Sequence, residues 1–238
     1  MQESPRKVLD PVLDKLDQAL GPGYSAVVYG SVARDEFVDG VSDINLLLVC
    51  DHLASDELAR LGPALVDLRQ LGYPPPLLFE REEWARAGDV FPVEMADMLA
   101  AHLSVRGSNP LSGTQLDSRD LRRALEQELR GKLLHLRQAS ALQRTEPQVL
   151  QGLIVSSVSS IAALFRALLV LAGSEVPRDT RQALLAAGTA MGRDLQPVID
   201  LWERHRRNDA SCPPELLERY LAAISAAIRF VDQFTGGN

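Results

Sequence analysis

The sequence predicts an α/β domain with a small mixed sheet, followed by an all-α helical bundle. Three observations point there. A short apolar run at 26–29 ends in Gly30-Ser31, and a second, unbroken aliphatic run follows at 44–50. Apolar spacing up to residue 108 alternates between helical and strand periods. Beyond residue 117 the spacing is helical throughout.

The elements follow in order. Val8, Leu9, Val12, Leu13, Leu16 and Leu20 share one helical face, and Gly21-Pro-Gly23 ends that helix. Residues 26–29 read as a buried strand, Gly30 allows a sharp turn, and a short helix is expected after it. The run Leu46-Leu-Leu-Val49 within 44–50 suggests a strand buried on both faces. Leu58, Leu61, Leu65 and Leu68 mark a helix around Pro63. After Tyr73-Pro-Pro-Pro76, residues 77–79 read as a third strand and 91–98 as a fourth.

A stretch rich in Gly, Ser, Asn and Pro at 107–117 sets the expected boundary, giving domains over 1–108 and 117–238. Leu121, Leu125, Leu129, Leu133 and Leu136 line the first helix of the second domain. A long apolar helix is expected over 148–172, two shorter ones over 178–190 and 195–208, and a last one carrying Leu217 to Val231. Short connections between helices of these lengths fit an antiparallel bundle.

Composition narrows the classes. The chain has 238 residues, 46% hydrophobic and 24% charged, which is ordinary for a globular protein. A net charge of -7 argues against general nucleic-acid binding, which needs a cationic surface. The apolar stretch 152–173 contains Arg166 and several serines, so a buried helix is expected rather than a membrane span. Two cysteines far apart, Cys50 and Cys212, fit a reducing cytoplasmic setting.

The segment Ala26-Val-Val-Tyr-Gly-Ser-Val-Ala-Arg34, followed by Ser42-Asp-Ile-Asn-Leu-Leu-Leu-Val49, resembles the signature of the nucleotidyltransferase superfamily that includes the aminoglycoside and streptomycin adenylyltransferases. The helical second half resembles their two-domain layout. The resemblance implies transfer of a nucleoside monophosphate from a nucleoside triphosphate, with ATP the expected one, to a hydroxyl of a small molecule. Magnesium is the implied cofactor. The family carries an Asp-x-Asp pair on the second strand; here the second position is Asn45.

The chemistry fits the pattern. Backbone N–H groups at a Gly-Ser turn can meet phosphates, Ser31 adds a hydroxyl, and Arg34 offers a charged fork. Magnesium takes hard oxygen ligands. Residues i and i+2 of a strand share a face, so Asp43 and Asn45 are expected to look at the phosphates together. Glu94 is the expected third ligand, from a neighbouring strand, with Asp97 as the fallback on the opposite face of a regular strand. Asp43 and Glu94 are thus the catalytic candidates, with Gly30, Ser31 and Arg34 for the nucleotide and Asp43, Asn45 and Glu94 for the metal. Asn45 brings an oxygen but no charge, which keeps a second expectation in view: a nucleotide-binding regulatory protein of weak or no activity, acting with a protein partner. A homodimer is compatible with either. In the family's streptomycin branch a base comes from the first helix of the second domain, and here Gln127, flanked by Glu126 and Glu128, stands at that place.

Overall fold

The computed structural model describes residues 1–142 and 147–234. It divides into two units, one of residues 1–88 and 101–115 and one of residues 89–100 and 116–238. The chain therefore crosses between units three times, where a single crossing near 108–117 was expected.

The first unit is built on four strands. β1 (Tyr24–Tyr29), β2 (Asn45–Cys50), β3 (Leu77–Glu80) and β4 (His102–Arg106) lie in the order β3-β2-β1-β4. β1 is antiparallel to both its neighbours, and β2 is parallel to β3. Two helices, α1 (Glu3–Leu20) and α2 (Ser55–Gln70), cover one face. Leu9, Val12, Leu13 and Leu16 of α1, with Leu61, Ala64 and Leu68 of α2, pack on Ala26, Val28, Leu46 and Leu48. Spacing of three and four residues gives each helix one apolar stripe, and burying it drives the docking. The Tyr24 hydroxyl donates to Asp17 Oδ1 at 2.5 Å, and Arg106 Nε donates to Asp17 Oδ2 at 2.8 Å. This link ties α1 to β1 and β4. Burial and the Asp17 carboxylate both push the Tyr24 phenol up. The opposite face carries Val27, Leu47 and Val49, also buried. Phe79 of β3 meets Trp84, on the short helix α3 (Arg81–Trp84), with ring centroids 5.3 Å apart.

One expected strand is a helix. Residues 92–100 form α4 (Pro92–Ala100), and the fourth strand lies beyond it at His102–Arg106. Val93, Met95, Ala96 and Met98 are all buried, so α4 is apolar around most of its circumference. An apolar run of that length reads alike as strand or buried helix, and Pro92 at its start suits a helix. The short helix expected after Gly30-Ser31 is a hydrogen-bonded turn instead.

The second unit is helical: α4, α5 (Ser118–Leu142), α6 (Pro147–Leu171), α7 (Thr180–Met191), α8 (Gln196–Arg206) and α9 (Pro214–Gln233). α6 is central and packs against all five others. It is long and apolar enough to cross a membrane, but 61% of its apolar window is buried in this unit. Ser156, Ser157 and Ser160 bond back to the preceding turn, and Ser157 Oγ also meets the buried Tyr220 hydroxyl at 2.9 Å. A buried ion pair fastens α4 to α6. Arg166 Nε donates to Asp97 Oδ1 at 2.6 Å and Nη1 to Thr180 Oγ1 at 3.3 Å, with Arg166 4% and Asp97 8% exposed. Cys50 and Cys212 are buried free thiols, and burial raises both to about 11.

Candidate functional site

Three strand ends meet at one end of the sheet. β1 finishes at Tyr29, while β2 and β4, running the other way, begin at Asn45 and His102. Tyr29 pairs with Asn45 on one side and with His102 on the other. Residues directly opposite in antiparallel strands point to the same face. Asn45, Tyr29 and His102 therefore form one row, on the face away from α1 and α2. Ile44 is in the helix-side core, so the two-residue period places exposed Asp43 on the Asn45 side.

The turn after β1 stands beside this row. Gly30 has φ +76°. A Cβ there would lie 2.7 Å from Asn45 Nδ2. Only glycine suits both the backbone and the contact. The amide nitrogen of Asn45 is thus its end nearest Gly30, and its carbonyl oxygen lies farther off. Three amides close the turn internally: Arg34 N–H donates to Gly30 O, Asp35 N–H to Val32 O and Glu36 N–H to Ser31 O. Ser31 is half-buried. Arg34 is 8% exposed, with its Nε 3.9 Å from Glu36 Oε2. Its charge is paired inside the fold, not held out as an open fork.

Ser42 has a role the sequence did not reveal. Its Oγ accepts from Val38 N–H at 3.0 Å, and its own N–H donates to Val38 O at 2.9 Å. The closed loop delivers Asp43 to the start of β2. Tyr73, on the loop before β3, comes into range as well. Burial pushes its phenol up, and Asp39 and Asp43 push it further. No sequence pattern joined Tyr73 to Asp43, thirty residues away.

Glu94 is not where strand geometry placed it. It sits on α4, in the helical unit. The strand that does neighbour β1 offers His102 and Ser104 on the site face, and β3 offers Leu77 and Phe79. Within the strands, no carboxylate faces the site. Asp43, just before β2, is the carboxylate that the extended chain brings there. Among the described residues no group of three His, Cys, Asp or Glu side chains is placed to hold a metal ion. Asp43 and the Asn45 amide oxygen are hard oxygen donors, the kind magnesium takes.

In the helical unit the Glu94 charge acts on a different candidate, Glu128 on α5. Burial raises the Glu128 carboxyl, and the Glu94 charge raises it further, against a smaller lowering from Lys132. Glu126 is engaged otherwise, with Arg122 and Arg130. Gln127 is exposed.

No family model matches the chain, and no curated protein matches it in sequence. Among solved structures it is similar to spectinomycin adenyltransferase AAD(9) from Enterococcus faecialis, crystallised with ATP and spectinomycin. The TM-score is 0.57 at 11% identity, over 94% of this chain and 99% of that one. At that identity the likeness establishes the fold: a nucleotidyltransferase-type α/β unit with a small mixed sheet, combined with a helical unit.

Proposed function

We propose that this chain is a nucleotidyltransferase-like protein that binds a magnesium–nucleoside triphosphate at the Gly30 turn and passes the nucleoside monophosphate to a hydroxyl of a small molecule. The observation that carries the reading is the placement of the Gly30-Ser31 turn, Asp43 and Asn45 at one end of one sheet. The fold likeness to an adenyltransferase crystallised with ATP and spectinomycin supports both the nucleotide and a small-molecule acceptor.

In this reading Asp43 and the Asn45 oxygen would hold a magnesium ion, which would offset the polyphosphate charge. Gly30 lets the phosphates approach the backbone, and Ser31 donates its hydroxyl to a phosphate oxygen. Arg34 acts from within, holding the turn through Glu36. The acceptor oxygen attacks the α-phosphorus, pyrophosphate leaves, and the acceptor proton goes to a base or to water.

A second reading is nucleotide binding without transfer, in a regulatory role with a protein partner. It is favoured by one observation: the strands add no carboxylate to Asp43 on the site face. Incubation with α-labelled ATP, magnesium and a panel of aminocyclitol and aminoglycoside acceptors separates the two. Labelled acceptor together with released pyrophosphate supports transfer. Tight binding with no product from any acceptor, and product appearing on Asn45→Asp, supports the second reading.

A further inference from the structure

We infer that the Tyr73 hydroxyl is a further contact of this nucleotide site, donating a hydrogen bond to a phosphate oxygen of the ligand held at Asp43. The inference rests on the nucleotide reading above and adds to it a residue outside the Gly-Ser and Asp-x-Asn segment.

The pairing of β2 with β3 sets where Tyr73 lies. Leu47 pairs with Leu77, and the same offset runs on to Cys50 with Glu80. The two strands are parallel, and β2 begins at the sheet end where Tyr29 and the Gly30 turn stand. Carried back four residues from Leu47 and Leu77, the offset brings Tyr73 beside Asp43. The intervening Pro74-Pro75-Pro76 keeps the chain on that course. A residue before proline is pushed towards extended backbone, which acts on Tyr73, Pro74 and Pro75 in turn. Prolines donate no ladder hydrogen bond, so β3 begins only at Leu77. Asp43 and Tyr73 thus stand equally far back along neighbouring paths, about 13 Å from the Leu47–Leu77 pair. The Asp43 charge accordingly helps to raise the Tyr73 phenol.

Tyr73 is anchored from behind. α2 ends in a Schellman motif: Gly72 has φ +84° and donates to Arg69 O at 3.0 Å, and Tyr73 N–H donates to Leu68 O at 2.9 Å. The half-buried ring packs against the helix-side core that contains Leu68. Its hydroxyl has no hydrogen-bond partner among the described residues, and the exposed Asp43 carboxylate has none either. No buried side-chain oxygen among them lacks a partner, so the hydroxyl reaches solvent. Asp39, the other acid acting on Tyr73, accepts from Ser4 Oγ. A fixed ring therefore presents a free O–H donor next to the free carboxylate of the site. A phosphate oxygen is a strong acceptor for it, and a side chain ordered beforehand loses little freedom on binding.

The test is calorimetric titration of magnesium–ATP into the full chain and into Tyr73→Phe, with urea unfolding of both. Phenylalanine keeps the ring on the core and removes only the hydroxyl. We expect Tyr73→Phe to bind roughly tenfold more weakly, the worth of one hydrogen bond to a charged acceptor, with its unfolding midpoint unchanged. If wild-type protein binds ATP and Tyr73→Phe stays within twofold of it, the inference is overturned and the nucleotide site stands. Weaker binding accompanied by a lowered unfolding midpoint also overturns it, because the hydroxyl would then be holding the fold. If wild-type protein does not bind ATP at all, the nucleotide reading and this inference fall together.

Discussion

Gly30→Ala tests the geometry of the site most sharply, because two separable effects act at one atom. The first is conformational. At φ +76° an alanine sits in the left-handed region, at about 1–2 kcal/mol. The second is steric. The new Cβ would lie 2.7 Å from Asn45 Nδ2, so the amide must swing aside. The moving atom is the end of a side chain, so the penalty is that of leaving a favoured rotamer, about 0.5–1.5 kcal/mol. The total should be about 1.5–3.5 kcal/mol, and Asn45→Ala should erase the steric share only. A double-mutant cycle then gives a coupling of about 0.5–1.5 kcal/mol. The assay is urea unfolding followed by Trp84 fluorescence in a Trp202→Phe background, because Trp84 is buried in the same unit as Gly30. Equal losses in the presence and absence of Asn45 would refute the contact between the two residues. A negligible loss in both would refute the left-handed turn itself.

The remaining predictions concern the helical unit. Asp97→Ala strands the Arg166 guanidinium inside it and should lower stability by about 3–5 kcal/mol. Replacing both partners, as Asp97→Leu with Arg166→Met, should recover most of that loss in chemical denaturation. Were the double variant as unstable as the single one, the unpaired charge would not be the cause. Glu128 gives a pH signature. Its folded value is raised above the ordinary 4.5, chiefly by burial and then by Glu94, so folding favours its protonated form. Stability from this group is full below 4.5 and is lost as pH rises through the raised value. Glu128→Gln should therefore be more stable than wild type at neutral pH, with the gap closing in acid. A gap that persists unchanged below pH 4 would contradict the assignment. Asn45→Asp adds a second carboxylate beside Asp43 and should tighten magnesium-dependent nucleotide binding, measured by calorimetry. Unchanged magnesium dependence would place Asn45 outside the metal's reach.

The parts of the fold legible in sequence are those whose signals are local. An aliphatic run ending in Gly30-Ser31 and an unbroken run at 46–49 can hardly be anything but buried strands around a sharp turn. The leucine spacing of α5 and the last helix is equally direct. The α4 segment was misread because Val93 and Met95 alternate as a strand would, while Val93, Ala96 and Asp97 also fit a helix; only burial by α5 and α6 decides between them. β4 was missed because His102-Leu-Ser-Val-Arg106 is a polar edge strand with a weak apolar pattern. Site residues divide the same way. Gly30, Asp43 and Asn45 lie within sixteen residues and announce themselves. The Asp43 charge acting on Tyr73 and the Glu94 charge acting on Glu128 are products of tertiary packing, which no spacing rule encodes. Arg34 was read by charge alone, and its partner Glu36 decides its role.

Nucleotidyl transfer at this end of the sheet requires that the Gly30 turn and Asp43 form a working nucleotide site. Calorimetric titration of ATP into the full-length protein, with and without magnesium and repeated on Asp43→Ala, measures that directly. Binding should need magnesium and be lost on Asp43→Ala. Absence of binding at millimolar ATP, or binding indifferent to both magnesium and Asp43, would contradict it.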